Sequence, residues 1–174
     1  AAAWEEGLFD QEVTAVTVGD KTVSRDTIVR ADTSEEKMAK LRPVFAKDDT
    51  LTAANSSTLT DGASATLIMS EEKARELGFT PLAAFKSWAY SGVDPADQLL
   101  KGPALSMPLA LNRAGLSLED VDLVDMHEAF AGQVLSILAM LESDVFAQEE
   151  LAQAGAVGTV SVDKLNVRGG SVAL

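Results

Sequence analysis

The sequence predicts an α/β protein, because short apolar runs of strand length alternate with capped segments of helical period along its 174 residues. Aromatic side chains make up only 5% of the chain while Ala and Val are abundant, which favours helices packed closely on sheets over a sandwich built around large rings. No internal repeat or low-complexity tract interrupts the alternation.

The elements follow in order. Glu12 to Val18 alternates polar and apolar residues, Gly19-Asp20 supplies a turn and Thr22-Val23 resumes the pattern, so a hairpin is expected. Thr33 with Glu36 three residues on has the spacing of a capping box, opening a short helix that Pro43 stops soon after Leu41. Thr50 to Leu59 is small and polar, with Asn55-Ser56-Ser57 at its centre, and reads as a loop. Ala63 to Met69 is a compact apolar strand. Ser70 caps a helix over Glu71–Leu77 that Gly78 ends. Leu82 to Tyr90 reads as another strand before a turn at Gly92 to Pro95. Pro103 to Ala114 fits a helix with Pro in its first turn and Gly115 past its end. Val121 to Asp125 is a strand. From Glu128 to Leu141, apolar residues at Phe130, Val134, Ile137, Leu138 and Leu141 recur at helical spacing. Ser161 to Val172 is a strand or turn containing Gly169-Gly170.

Composition excludes several functions. The net charge is −13, with 14 basic residues scattered among 27 acidic ones, so a nucleic-acid partner is not expected. The absence of cysteine rules out a disulfide framework, a Cys metal site and a Cys nucleophile within these residues. No metal site is expected, since one His and no Cys cannot complete one. No apolar run is long enough for a transmembrane segment, and Ala1-Ala2-Ala3-Trp4 lacks the positive region of a signal peptide. A cytoplasmic location is expected, with the mitochondrial matrix as the alternative.

The residues alone single out His127, the one histidine, between an expected strand and an expected helix, where α/β folds place ligands. Asp125 and Glu128 flank it. It is suited to donating to an oxyanion or to acid–base work, and equally to no duty beyond solvation or packing. Gly169-Gly170 permits close backbone approach but is also an ordinary turn pair. Ser57 in its polar loop can bind a ligand or simply cap the backbone.

Five stretches in order resemble the thiolase family. Met38-Ala39-Lys40-Leu41-Arg42-Pro43-Val44-Phe45 is similar to the family's segment after its CoA-binding helices. Leu51 through Ala63 resembles T-A-G-N-A-S-G-x-N-D-G-A, with Thr58 for a usual Gly and Thr60 for a usual Asn. Ser87-Trp88-Ala89 with Gly92-Val93-Asp94-Pro95 resembles S-W-A-x-x-G-V-D-P. His127-Glu128-Ala129-Phe130 stands where most members have N-E-A-F, and Asn166 through Leu174 resembles N-x-x-G-G-x-x-A-x. The His at the N-E-A-F position and Leu99-Leu100-Lys101-Gly102-Pro103 look like the β-subunit branch of fatty-acid oxidation trifunctional complexes.

The resemblance implies a layered α-β-α-β-α fold, present in part. Residues 1–58 would be the tail of the family's loop domain, 59–81 the last strand and helix of the N-terminal half, and 82–174 the first part of the C-terminal half. The implied activity is that of a 3-ketoacyl-CoA thiolase, an acyl-CoA:acetyl-CoA C-acyltransferase of fatty-acid β-oxidation. It works through a Cys nucleophile and the His of a G-H-P motif whose place falls just after Leu174. Both lie outside this chain, so the chain alone is expected to be inactive. No cofactor is implied; coenzyme A is a substrate. Carried over by position, Arg30 lies beside the CoA adenine, where guanidinium stacking suits it. Leu41, Ala53 and Ser57 line the CoA arm, Ala129 and Phe130 contact pantetheine, and His127 serves the oxyanion site through a water.

The implied partners are acyl-CoA and CoA, the remainder of a thiolase chain, a second copy of the protein and, in the trifunctional branch, a hydratase–dehydrogenase subunit. Two competing readings remain at this point: a non-catalytic acyl-CoA-binding module, and an interaction element whose acidic helices dock another subunit.

Overall fold

The structure is a computed structural model that describes residues 1–173. Its core lies in the second half of the chain, where three helices are packed in sequence. Helix α4 (Gly102–Ala114) meets α5 (Ala131–Leu141), and α5 meets α6 (Asp144–Glu150). Val134, Ile137 and Leu141 recur on one face of α5 and are buried against Ala104 of α4, with Leu118, Met126 and Val160 closing the cluster. That three- and four-residue spacing is the stripe expected of an amphipathic helix seated on a core. Ile137 is 1% exposed and Leu141 is fully buried.

Local chemistry sets the helix ends. Pro103 stands in the first turn of α4, and Gly115 takes a left-handed φ of 68° beyond its last turn. The Gly115 N–H then bonds Asn112 O at 3.2 Å and the Leu116 N–H bonds Leu111 O at 3.0 Å, satisfying two terminal carbonyls. Pro108 is buried within α4 and has no N–H to give, yet the helix continues through it. Ser143 Oγ accepts from Phe146 N at 3.2 Å to start α6. A 3-10 turn over Leu118–Asp120 is closed by the Asp120 carboxylate, which accepts from the Ser117 N–H at 2.8 Å and hydroxyl at 2.7 Å. Those two bonds hold the Asp120 carboxyl below its ordinary pKa.

The first hundred residues contribute little to the core. Helix α1 (Ala2–Glu5) carries Trp4, whose ring lies 5.0 Å from that of Phe9 and beneath the Arg25 guanidinium at 5.4 Å. The expected hairpin forms as β1 (Val16–Val18) and β2 (Lys21–Val23), paired antiparallel across Gly19-Asp20. Helix α2 (Glu35–Met38) is capped by Ser34, whose Oγ accepts from Lys37 N at 3.3 Å, not by Thr33. It ends at Met38, five residues before Pro43, so the proline is not what stops it. Helix α3 (Glu71–Glu76) has the expected Ser70 cap and Gly78 terminus.

Three expected strands differ from the structure. The backbone over 63–69 and 82–90 forms no ladder among the described residues, and Val121–Asp125 makes only one parallel bridge, between Val124 and Leu165. β structure requires a paired neighbour as well as a suitable sequence; within the described residues 63–69 and 82–90 have none and 121–125 has one only at Val124. The 82–90 segment is instead tied to α4. Ser87 Oγ donates to Ala110 O at 2.7 Å, Arg113 to Trp88 O at 2.6 Å and Ser91 Oγ to Gly102 O at 2.9 Å. α5 begins three residues later than Glu128, after a bend at Ala129 and an extended Phe130 (φ −146°, ψ 143°), held by partners described below.

Two outcomes are expected. Ile137→Ala should lower stability by about 2–5 kcal/mol, measured by denaturant unfolding, since it deletes a fully enclosed side chain. Leu67, Ile68, Leu82, Phe85, Trp88 and Tyr90 are all exposed on unpaired segments. The 174-residue chain on its own should therefore self-associate in sedimentation and melt without one sharp transition; a monodisperse, cooperatively unfolding monomer would contradict this.

Candidate functional site

The site is assembled where the segment ending at Glu128 meets the segment 164–172. Val124 N donates to Lys164 O at 2.8 Å and Asn166 N to Val124 O at 2.9 Å, which begins a parallel pairing. The pairing then passes to a side chain. Asn166 Oδ1 accepts from Met126 N at 2.8 Å, while Nδ2 donates to Met126 O at 2.9 Å and to Glu128 Oε1 at 2.6 Å. Asn166 has a φ of 46°, a conformation that Asn tolerates better than most residues. The turn carries its amide alongside Met126, where it stands in for a strand neighbour.

Glu128 is the second anchor. Its Oε1 takes the Asn166 amide and its Oε2 accepts from Val172 N at 3.0 Å. The carboxylate lies so close over Gly170 that a Cβ there would overlap it. Here the Gly pair is used for close approach, one of its two readings. His127 is exposed, and its Nδ1 lies 2.7 Å from Ser171 Oγ.

The Thr50–Leu59 loop closes on the same point from the other side. Ser57 N donates to Ala129 O and Ala131 N to Asn55 O, both at 2.9 Å, around an antiparallel bridge of Ser56 with Phe130. Asn55 shapes the loop, accepting from Thr52 N at 2.8 Å and donating to Thr50 O at 2.9 Å. Phe45 meets Phe130 edge to face at 5.7 Å.

Between these parts opens a cleft of about 1630 Å³. Arg30, Leu41, Ala53, Ser57 and Phe130 all line it, so five sequence-predicted positions come together. Ala129 holds the Ser57 N–H with its backbone carbonyl. His127 and Ala129 are not in the lining but alternate along the chain with Glu128 and Phe130, which are. Val134, Leu135 and Leu138 of α5 add an apolar wall. At the rim, Lys37 Nζ pairs with Asp32 at 2.8 Å, and that bond, with the charges of Lys37 and Arg30, holds the Asp32 carboxyl below its usual range. Among the described residues no carboxylate lies within salt-bridge distance of Arg30, and no three acidic or His side chains gather as a metal site. Among the described residues no helix is long and apolar enough to cross a membrane.

Sequence reasoning did not assign Glu128, Asn166, Ser171 or Phe45. Glu128 and Asn166 are 38 residues apart, and no local period links them. The last residue of the Asn166–Leu174 motif lies outside the described residues.

Comparison with known proteins identifies this arrangement. Residues 1–72 match the family model described as Thiolase, N-terminal domain, and residues 79–174 match Thiolase, C-terminal domain. The chain is 51% identical, over 99% of its length, to a 3-ketoacyl-CoA thiolase of Serratia proteamaculans and covers 40% of that protein. It superimposes with a TM-score of 0.80 on an acetyl-CoA acetyltransferase of Bacillus anthracis, at 37% identity, covering 99% of this chain and 40% of that one. The human mitochondrial 3-ketoacyl-CoA thiolase in complex with CoA gives 0.79 at 36% identity, over 99% and 39%. The chain thus spans about 40% of the length of the curated relatives it matches, and its fold is the corresponding part of the thiolase α/β fold.

Gly170→Ala is expected to destabilise the protein by about 1–3 kcal/mol, because the methyl and the Glu128 carboxylate claim the same space. Glu128→Ala made in the Gly170→Ala background should cost less than it does in the parent, a non-additivity that thermal unfolding of the four proteins would reveal. Strict additivity would mean that the two positions are independent.

Proposed function

The chain belongs to the thiolase family, and from this we propose that it is part of a 3-ketoacyl-CoA thiolase acting in fatty-acid β-oxidation, with its Cys nucleophile and the G-H-P His on other parts of the full-length protein. The observation that carries the reading is the junction at 127–130. One stretch of four residues presents His127, anchors Glu128, receives the Ser57 loop on Ala129 and turns Phe130 into a cleft already lined by Arg30, Leu41 and Ala53. A relative of the same fold carries CoA.

On this reading CoA lies along the cleft. Arg30 stacks on or pairs with its adenine end, which suits a guanidinium with no carboxylate at salt-bridge distance among the described residues. Leu41, Ala53 and Ser57 line the arm, and Ala129 and Phe130 contact pantetheine. The Cys thiolate attacks the 3-keto carbonyl, the C2–C3 bond breaks and acetyl-CoA leaves as its enolate, which takes up a proton; the acyl group, held as a thioester, then passes to the thiol of a second CoA and the Cys thiolate is freed. His127, through a water, donates towards the oxygen that gains negative charge, an interaction stronger in the transition state than in the ground state. Coenzyme A enters as substrate and no further cofactor is needed. Residues 1–58 belong to the loop domain, 59–81 complete the N-terminal half and 82–174 begin the C-terminal half; the extended runs 63–69 and 82–90 are sheet strands whose partners lie elsewhere in the full-length chain. A cytoplasmic homo-oligomer, working beside a hydratase–dehydrogenase subunit, completes the proposal.

The test is thiolysis of a 3-ketoacyl-CoA by the full-length protein. His127→Ala should lower kcat by about 10²–10³ with a smaller change in KM, as loss of one oxyanion donor does. The 174-residue chain alone should give no turnover. A full-length protein that binds acyl-CoA without cleaving it would replace the enzyme reading with that of a binding module.

A further inference from the structure

We propose that Ser171 is a positioning residue that holds the His127 ring through Nδ1 and, by donating its hydroxyl proton there, supports the tautomer in which Nε2 keeps its proton and faces the reacting oxygen. The proposal rests on the oxyanion role given to His127 above and adds the group that makes that role reliable.

His127 is exposed, so no packing among the described residues holds its ring. Among the described residues the Ser171 contact is the only hydrogen bond the imidazole makes. A neutral imidazole carries one proton on either of two nitrogens, and a free exposed ring samples both forms. Only the form protonated on Nε2, with Nδ1 engaged by Ser171, leaves a donor available for an oxyanion. A serine hydroxyl can give or take a proton, so it can satisfy Nδ1 in its acceptor state at the observed 2.7 Å.

The position of Ser171 is itself set by the residue next to His127. Val172 N donates to Glu128 Oε2, and Gly170 lies directly against the same carboxylate. Ser171 sits between those two contacts, as His127 sits beside Glu128. The four residues close a ring, with two covalent neighbour pairs joined by two hydrogen bonds. Asn166 completes it by holding the other Glu128 oxygen and the Met126 backbone. The hydroxyl is therefore presented from a backbone anchored on both sides.

The test is a double-mutant cycle in the full-length protein. Ser171→Ala, His127→Ala and the double variant are compared by steady-state thiolysis, with Ser171→Thr as the conservative control and thermal unfolding to confirm folding. Ser171→Ala should lower kcat about tenfold with little change in KM, and should cost nothing further once His127 is Ala. Ser171→Thr should recover most of the loss. In ¹⁵N-histidine-labelled protein, with the His127 signal assigned by its absence in His127→Asn, the parent should show the Nε2-protonated form and Ser171→Ala a mixture. Equal losses from Ser171→Ala in both backgrounds, or a full-rate Ser171→Ala beside an impaired His127→Ala, would overturn the positioning role alone. An unimpaired His127→Ala would instead overturn the oxyanion reading on which it stands. If the protein does not cleave 3-ketoacyl-CoA at all, a mixed tautomer in the parent spectrum would overturn the structural claim as well.

Discussion

The side-chain amide of Asn166 is the contact on which the rest of the site depends. It pairs with both the N–H and the carbonyl of Met126 and still reaches Glu128. A backbone ladder could not continue here, because the chain at 166 has turned to positive φ and leads into the glycine pair. An amide has the donor and the acceptor of a peptide group on a side chain, so it extends the pairing by one residue past the point where the backbone leaves. Without it, Met126 would lose two partners and the Glu128 carboxylate would lose one of its two.

Glu128 converts that contact into geometry. One oxygen is committed to Asn166 and the other to the Val172 N–H, so the carboxylate cannot rotate to suit another partner. The same face of the junction takes up the Ser57 loop, whose hydrogen bonds are to backbone atoms of 129 and 131. The Ala129 carbonyl is taken by Ser57 N and the Ala131 N–H by Asn55 O, and a helical turn begun earlier would compete with those bonds. α5 starts only at Ala131, where its own apolar stripe takes over.

The contrast between the two halves of the chain has one cause. Helices satisfy their backbone internally, so α4, α5 and α6 form and pack within 102–150. Strands depend on a neighbour, and the apolar runs at 63–69 and 82–90 have the composition of buried strands but no ladder among the described residues. The hairpin β1–β2 forms because its partner strand begins only three residues on, at Lys21 after Val18. Ser87 and Ser91 show what the extended backbone does instead, lying along α4 through hydroxyl-to-carbonyl bonds.

What could be read along the chain was everything governed by near neighbours: the hairpin around Gly19-Asp20, the Ser70 cap, the Pro103 start and Gly115 end of α4, the apolar face of α5, and the polar loop around Asn55. The family resemblance also marked Arg30, Leu41, Ala53, Ser57 and Phe130, which share one cleft. Ser34 in place of Thr33 shows the limit even locally, since either hydroxyl could cap and only the backbone path selects one. The partnership of Glu128 with Asn166 and of His127 with Ser171 could not be read, because their members lie 38 and 44 residues apart. Residue type fixes what each can donate or accept, but which donor meets which acceptor depends on the path of the backbone between them.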